Sequence, residues 1–253
     1  MYAEERQLAI LELARGRGRV EVTALADEFA VTSETIRRDL TTLEHYGVIR
    51  RVRGGAVLAE PLGFEPEVSE RDTVMIEEKE RIAKAALAEL PQEGAILLDA
   101  GTTTARMAYV LPTDRELTVV TQSVSIALSL ATRANITTML VGGRLRSRTL
   151  ACVESWAVQA LRETFVDVAF IATNGLSIEC GLTTPDLAEA VVKRAAMASA
   201  RRLVLLVDHT KVGDDCLVRF AELSDFDTVI TDTGIDSRVA DQIAAAGPRV
   251  VIA

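Results

Sequence analysis

Lysine is scarce in this 253-residue chain: of 28 basic residues only four are lysines, Lys79, Lys84, Lys193 and Lys211. Where arginine supplies nearly all the positive charge, a remaining lysine is a candidate for a role that needs a compact cation on a flexible stem. Cysteine and histidine are also few. Cys152, Cys180 and Cys216 show no close ligand spacing, and two histidines cannot complete a zinc site with them, so reduced structural thiols and no resident metal or cofactor are expected. No apolar run approaches the ~20 residues of a membrane span, and charges stand where a signal peptide would be apolar, so a cytoplasmic location without a membrane partner is expected. What the chain has in quantity is core material. Hydrophobic residues make up 49% of it, enough for one large domain or two modest ones.

The net charge of −9 is unevenly distributed. Residues 1–55 carry nine Arg against nine Asp plus Glu, which leaves 19 basic against 28 acidic residues for the rest. Within residues 37–53 the arginines Arg37, Arg38, Arg50, Arg51 and Arg53 face only Asp39 and Glu44. That is a local positive patch on a chain that otherwise repels nucleic acid.

The patch lies on a recognisable pattern. Leu8, Ile10, Leu11, Leu13 and Ala14 mark a first helix, residues 22–29 a second, and residues 30–32 a turn into a third. On the third, Ile36, Leu40 and Leu43 form one apolar stripe at helical spacing, which leaves Glu34, Arg38, Thr41 and His45 on the other face. Thr32 or Ser33 can cap it. Residues 48–53 and 56–58 then flank Gly54-Gly55, a pair suited to the positive φ angles of a tight hairpin. Helix-turn-helix spacing followed by an arginine-bearing wing points to DNA, with Thr32, Ser33, Thr35, Arg37, Arg38 and Thr41 reading or positioning and Arg50, Arg51 and Arg53 holding phosphates.

Between residues 59 and 76 the periodicity fades around Pro61, Gly63 and Pro66, which suggests a linker. A helix over residues 77–90 follows, with Ile82, Ala85, Ala86 and Leu90 inward. Beyond it, short apolar runs at 95–98, 117–120, 138–141, 168–172, 203–207, 228–230 and 250–252 alternate with helix-like segments, the signature of a mostly parallel sheet covered on both faces. In such sheets function stands just past the carboxyl ends of the strands. Those positions here are Asp99 with Gly101-Thr102-Thr103-Thr104, then Thr121 and Ser123, Gly142-Gly143, Asn174-Gly175, Asp208 with Lys211, and Asp232. A glycine followed by hydroxyls at a helix N-terminus suits an anion, although it can equally be a plain cap. In GLTTPDLAEAVVKRAAM, Thr184 can cap a helix on which Glu189 and Lys193 stand at i,i+4, either as a surface ion pair or with Lys193 free to neutralise a phosphate.

These motifs together resemble the DeoR family of bacterial transcription regulators over essentially the whole chain. VTSETIRRDLTTLEHYGVIRRVRGGA is similar to that family's DNA-binding signature, with Arg53 in place of a more usual histidine. LDAGTTT, VTQS, VGGRL, ATNGLS, LLVDHTKVG and VITDTG are similar to its effector domain. The resemblance implies an α/β protein: a winged helix-turn-helix over residues 1–58, a linker over 59–76, and over 77–253 a larger, predominantly parallel effector domain resembling ribose-5-phosphate isomerase. It also implies operator DNA and a sugar-phosphate effector as partners, and a homodimer or homotetramer. The N-terminal residues and the LGFEPEVSERD segment look most like fructose-operon repressors of high-GC Gram-positive bacteria, which makes fructose 1-phosphate the first choice of effector. Two departures stand out. Gln122 replaces a frequent Asn, and residues 151–155 replace an expected Gly-Pro, placing Glu154 where it would repel an anion if it faced the pocket.

Three readings follow: a sugar-phosphate-responsive repressor, not an enzyme; a sugar-phosphate isomerase with an appended helical domain, using Asp99, Glu189 or Asp208 as base; or a DNA-binding protein whose large domain only oligomerises.

Overall fold

The computed structural model describes residues 2–58 and 62–253, in two compact units, Met1–Pro61 and Leu62–Ala253. The first unit comprises α1 (Ala3–Arg17), β1 (Arg19–Glu21), α2 (Val22–Glu28), α3 (Ser33–His45), β2 (Ile49–Val52) and β3 (Gly55–Leu58). Ile10, Ala14, Leu25, Ile36, Leu40, Leu43 and Ile49 form its core, so the stripe read on α3 is the buried face. On α1 the inward stripe is Arg6, Ile10 and Ala14. Leu8, two residues or about 200° round the helix from both Arg6 and Ile10, lies on α1 as expected but is 65% exposed.

The wing carries a strand that the sequence pattern did not show: β1 pairs with β3, giving the order β1-β3-β2. This changes the role of the glycine pair. Val52 pairs with Gly55, so the turn is Arg53-Gly54, and of the two glycines only Gly54 has a positive φ. At Gly55 a Cβ would run into the Val20 carbonyl, so glycine there permits β1 to approach.

The second unit contains α4 (Val68–Asp72), α5 (Ile76–Ala86), β4 (Gly94–Leu98), α6 (Thr102–Val110), β5 (Leu117–Thr121), α7 (Val124–Leu130), β6 (Ile136–Leu140), β7 (Arg144–Arg146), β8 (Ala151–Val153), α8 (Ser155–Arg162), β9 (Val166–Ala172), β10 (Gly175–Ser177), β11 (Gly181–Thr184), α9 (Leu187–Ala198), β12 (Ala200–Leu206), β13 (Val218–Ala221), β14 (Thr228–Thr231), α10 (Ser237–Ala245) and β15 (Arg249–Ile252). The expected apolar runs all enter one parallel seven-stranded sheet ordered β15-β14-β12-β9-β4-β5-β6. Alternation along β9 shows why both faces are covered. Val168 and Phe170 pack with α5, α6 and α7 residues such as Ile82, Met107 and Ile126, while Ala169 and Ile171 pack with α8 and α9 residues such as Leu161 and Ala196, as the two-residue period of a strand requires. On α5 the buried residues include Ile82, Ala83 and Ala86, with Ala85 half-buried.

Two further corrections bear on the site. The segment read as a linker is structured from Leu62 onward: it belongs to the second unit and Glu65 within it is buried, while Ala59, Glu60 and Pro61 lie outside the described residues. The helix after GLTT begins at Leu187 with Asp186 as its cap, and Thr184 instead closes β11.

Winding from β4 runs outward through β5 and β6, then returns to β9 on the other side of β4. The carboxyl ends of β4 and β9 therefore flank the reversal point, where such sheets open a crevice.

Candidate functional site

In the first unit, Thr32 rather than Ser33 caps α3: its Oγ1 accepts the Thr35 N–H at 3.2 Å and lies 2.9 Å from Thr35 Oγ1. Arg37, Arg38 and Thr41 are exposed, and Ser33 and Thr35 half-buried. Arg37 stands 3.4 Å from Glu34 in a solvent-exposed pair, worth ~0 to 1 kcal/mol and readily exchanged for a phosphate. The Arg51 N–H donates to Glu44 Oε1 at 2.9 Å and its Nη1 to Thr41 Oγ1 at 3.3 Å, which ties the wing to the outer face of α3. Arg50 and Arg53 are exposed on the wing, and the Arg53 carbonyl accepts from Arg19 Nη2 at 3.1 Å. His45's side chain lies outside the described residues.

Asp39 does not subtract from this surface. It is 4% exposed and accepts from Arg6 Nε at 2.5 Å, Arg6 Nη2 at 3.2 Å and Gln7 Nε2 at 3.1 Å. The carboxylate that interrupts the arginine series in sequence is turned inward and neutralised.

In the second unit the reversal point holds Asp99, which is fully buried. Its Oδ2 accepts the Ala172 N–H at 3.0 Å and bonds the Lys193 ammonium; its Oδ1 accepts from Gln122 Nε2 at 2.5 Å. Lys193 also donates to the Ala172 carbonyl at 2.8 Å and lies 5.3 Å from the Phe220 ring centre. Lys193 is thus neither a surface ion pair with Glu189 nor an open cation. Gln122 is 2% exposed, and its Oε1 has no hydrogen-bond partner among the described residues. It borders a cavity of about 10 Å³ shared with Asp99, Cys152, Glu189 and Lys193, room for one water molecule. Cys152 is 6% exposed, and burial pushes its thiol up.

Gly101 starts α6 with no side-chain cap. A Cβ on it would lie 2.7 Å from that of Ala172, so the chain must be bare there. Thr102, Thr103 and Thr104 are buried, and Thr104 Oγ1 donates to the Asp99 carbonyl at 2.6 Å. Thr121 Oγ1 donates to the Leu98 carbonyl at 2.7 Å, and Ser123 caps α7. Gly142 is exposed, and a Cβ on Gly143 would lie 2.6 Å from the Val153 carbonyl, so Gly143 serves the β7–β8 hairpin. A Cβ on Gly175 would lie 2.8 Å from Thr183 Oγ1. Asp208 accepts the Thr210 N–H at 3.1 Å at the start of a single turn, His209–Lys211, that carries Lys211. Asp232 accepts the N–H groups of His209 and Gly234, each at 2.8 Å, and lies 2.7 Å from His209 Nδ1. Burial alone would raise its carboxyl, but these bonds hold it below the ordinary range.

Glu189 accepts from Thr149 Oγ1 at 2.5 Å and Arg146 Nη1 at 3.0 Å, and burial pushes its carboxyl up. Arg146 also bonds Glu65, whose Oε1 accepts from Asn174 Nδ2 at 3.2 Å and Arg71 Nη1 at 3.1 Å. Lys79 is 4% exposed, donates to the Arg71 and Val74 carbonyls at 2.5 and 2.6 Å, and is pulled down to about 8 by burial. Glu65, Arg71, Arg146 and Thr149 were absent from the residues singled out in sequence. Only the scarcity of lysine drew notice to Lys79. Glu154 is exposed and paired with Arg144 at 2.5 Å, so it does not face the cavity.

Among the described residues no helix is long and apolar enough to cross a membrane, and no His, Cys, Asp and Glu group could hold a metal ion.

Residues 6–61 match the DeoR-like helix-turn-helix domain and residues 74–233 the DeoR C terminal sensor domain. The chain belongs to the DeoR family of transcriptional regulators. It is 37% identical to the HTH-type transcriptional regulator GlpR of Haloferax volcanii, over 99% of this chain and 98% of that protein. Over 92% of both chains it is 31% identical to the glycerol-3-phosphate regulon repressor of Escherichia coli, and 33% identical to the regulator FruR of Bacillus subtilis. Among solved structures it aligns with ribose 5-phosphate isomerase A of Methanocaldococcus jannaschii at a TM-score of 0.40 and 18% identity, over 53% of each chain.

Proposed function

We propose that this DeoR-family regulator is a repressor of a sugar-utilisation operon that acts in the cytoplasm as a homodimer or homotetramer and leaves its operator when a sugar phosphate binds the second unit. Fructose 1-phosphate is the first choice of effector. The observation that carries the reading is the polar cluster at the sheet's winding reversal: an α6 N-terminus without a side-chain cap, the buried Asp99–Lys193 pair, and the Gln122 oxygen, which has no partner among the described residues, all on a chain whose first unit presents Arg37, Arg38 and Arg51 outward. A helix N-terminus without a side-chain cap offers N–H groups to ligand oxygens, and a buried amide oxygen suits a ligand hydroxyl. The name of the glycerol-3-phosphate regulon repressor supports a small phosphorylated ligand.

The isomerase reading is disfavoured by what its candidate bases do. Asp99 is committed to Lys193, Glu189 to Arg146 and Thr149, and Asp208 to Thr210. A thermal-shift panel of fructose 1-phosphate, fructose 6-phosphate, glycerol 3-phosphate and unphosphorylated fructose, with product analysis, tests the proposal. One phosphorylated member is expected to raise Tm without turnover. Turnover would establish the isomerase, and no shift with any member would refute sensing of these phosphates.

A further inference from the structure

The segment over residues 62–72 is buried the wrong way round for an apolar contact. Leu62 and Phe64 are 55% and 46% exposed, whereas Glu65 between them and the short helix is 2% exposed, and α4 has no buried residue. Carboxylates are almost never so buried unless paired, so what seats this strap is a charge in a pocket made for one. Both carboxylate oxygens are used. Oε1 accepts from Arg71 at 3.1 Å and Asn174 at 3.2 Å, and Oε2 from Arg146. The Glu65 carbonyl accepts from Arg148.

We propose that Arg71, Arg146 and Asn174 form the anion seat of the effector site, that Glu65 fills it as a built-in stand-in, and that a phosphorylated ligand takes the seat by expelling Glu65 and with it residues 62–68, while Arg71 stays at the end of α4 that Lys79 and Arg106 hold through the Arg71 and Asp72 carbonyls. This deepens the sensing function proposed above and rests on it for the identity of the natural ligand.

Two guanidiniums and an amide suit a phosphate as well as a carboxylate, because both present oxygens in the fork geometry that arginine meets. Lys193 cannot serve as the neutralising cation while its ammonium bonds Asp99. Charge favours the exchange. Arg71, Arg146 and Arg148 stand against Glu65, Asp186 and Glu189, with Arg146 Nε 3.2 Å from Asp186 and Nη1 3.0 Å from Glu189. Removing Glu65 from this balanced group leaves one positive charge for an incoming anion. Beyond Glu65, residues 62–68 are held by backbone bonds such as Val68 N–H to the Arg148 carbonyl at 2.9 Å and Leu217 N–H to the Leu62 carbonyl at 3.0 Å. A segment with few buried contacts opens at low cost. In the chain this segment begins where the DNA-binding unit ends.

The test uses the full-length chain, Glu65→Gln and, as a charge control, Glu67→Gln at an exposed position of the same strap. Calorimetry with inorganic phosphate and with fructose 1-phosphate is combined with hydrogen exchange at the Val68 and Leu217 amides. Glu65→Gln is expected to bind inorganic phosphate at least tenfold more tightly than wild type, Glu67→Gln no more tightly, and Glu65→Gln to exchange both amides faster without ligand. Equal phosphate affinity in wild type and Glu65→Gln overturns the seat, even if a sugar phosphate binds both and the sensing function stands. Tight inorganic phosphate binding by Glu65→Gln with no sugar phosphate bound keeps the seat and removes the sensing function. If Glu65→Gln does not fold, wild-type exchange decides: faster exchange of both amides under saturating inorganic phosphate supports the proposal, and unchanged exchange overturns it.

Discussion

The Lys193 ammonium bonds the Asp99 carboxylate between the carboxyl ends of β4 and β9, and both side chains are almost completely buried. Removing one partner of such a pair leaves an uncompensated charge, at a cost of ~3 to 5 kcal/mol. Lys193→Met and Asp99→Asn should each lower the stability of the second unit on that scale in urea titrations. Combined, they should cost less than the sum. Additive costs would show that the two groups are not coupled.

The two arginine sets of the first unit should separate in gel-shift titrations. Arg38 projects from the exposed face of α3, and Arg38→Ala should cost ~1 to 3 kcal/mol at the cognate site and relax sequence preference. Arg51 lies on the wing, and Arg51→Ala should weaken binding to all duplexes and reduce the salt slope by ~0.9 per lost phosphate contact. Unchanged affinity on replacing Arg37 and Arg38 together would displace the reading face from α3.

Lys79 makes the second unit's stability depend on alkaline pH. Burial pulls its ammonium down to about 8, with Asp208 and Asp72 opposing that shift and Lys211 and Arg71 adding to it. In the unfolded chain lysine keeps its proton to ~10.4. Between these values the unfolded state binds more protons, so stability attributable to Lys79 rises with pH, and below about 8 it is flat. Urea midpoints at pH 7.5 and 10 should therefore rise in wild type relative to Lys79→Met. A constant difference would contradict this.

The parts of the molecule legible in sequence are those set by periodicity. The Ile36, Leu40 and Leu43 stripe and the seven apolar runs follow from local spacing, and the polar ends of those runs mark the edge where Asp99 and Asn174 stand. What was illegible depends on partners far away in the chain. Glu65 lies in a Pro- and Gly-containing stretch without period, and only the fold brings Arg146 and Asn174 to it. Asp39 counts as a surface charge until α1 supplies Arg6. Gly55 fits a turn until β1, too short to show a pattern, pairs with β3. Lys193 and Glu189 share a helix at the spacing of an ion pair, yet each is claimed by a closer group from another element, Asp99 and Arg146.

If, as proposed, a ligand-responsive unit governs a DNA-binding unit, linkage makes the coupling testable in a single experiment. An effector that lowers operator affinity must have its own affinity lowered by operator DNA by the same factor, ~5- to 150-fold for a coupling of typical size. The measurement is calorimetric titration of fructose 1-phosphate, with glycerol 3-phosphate and fructose 6-phosphate beside it, into the full-length chain with and without saturating operator duplex. Weaker sugar-phosphate binding in the presence of operator is the result predicted; the same affinity in both titrations would contradict the account.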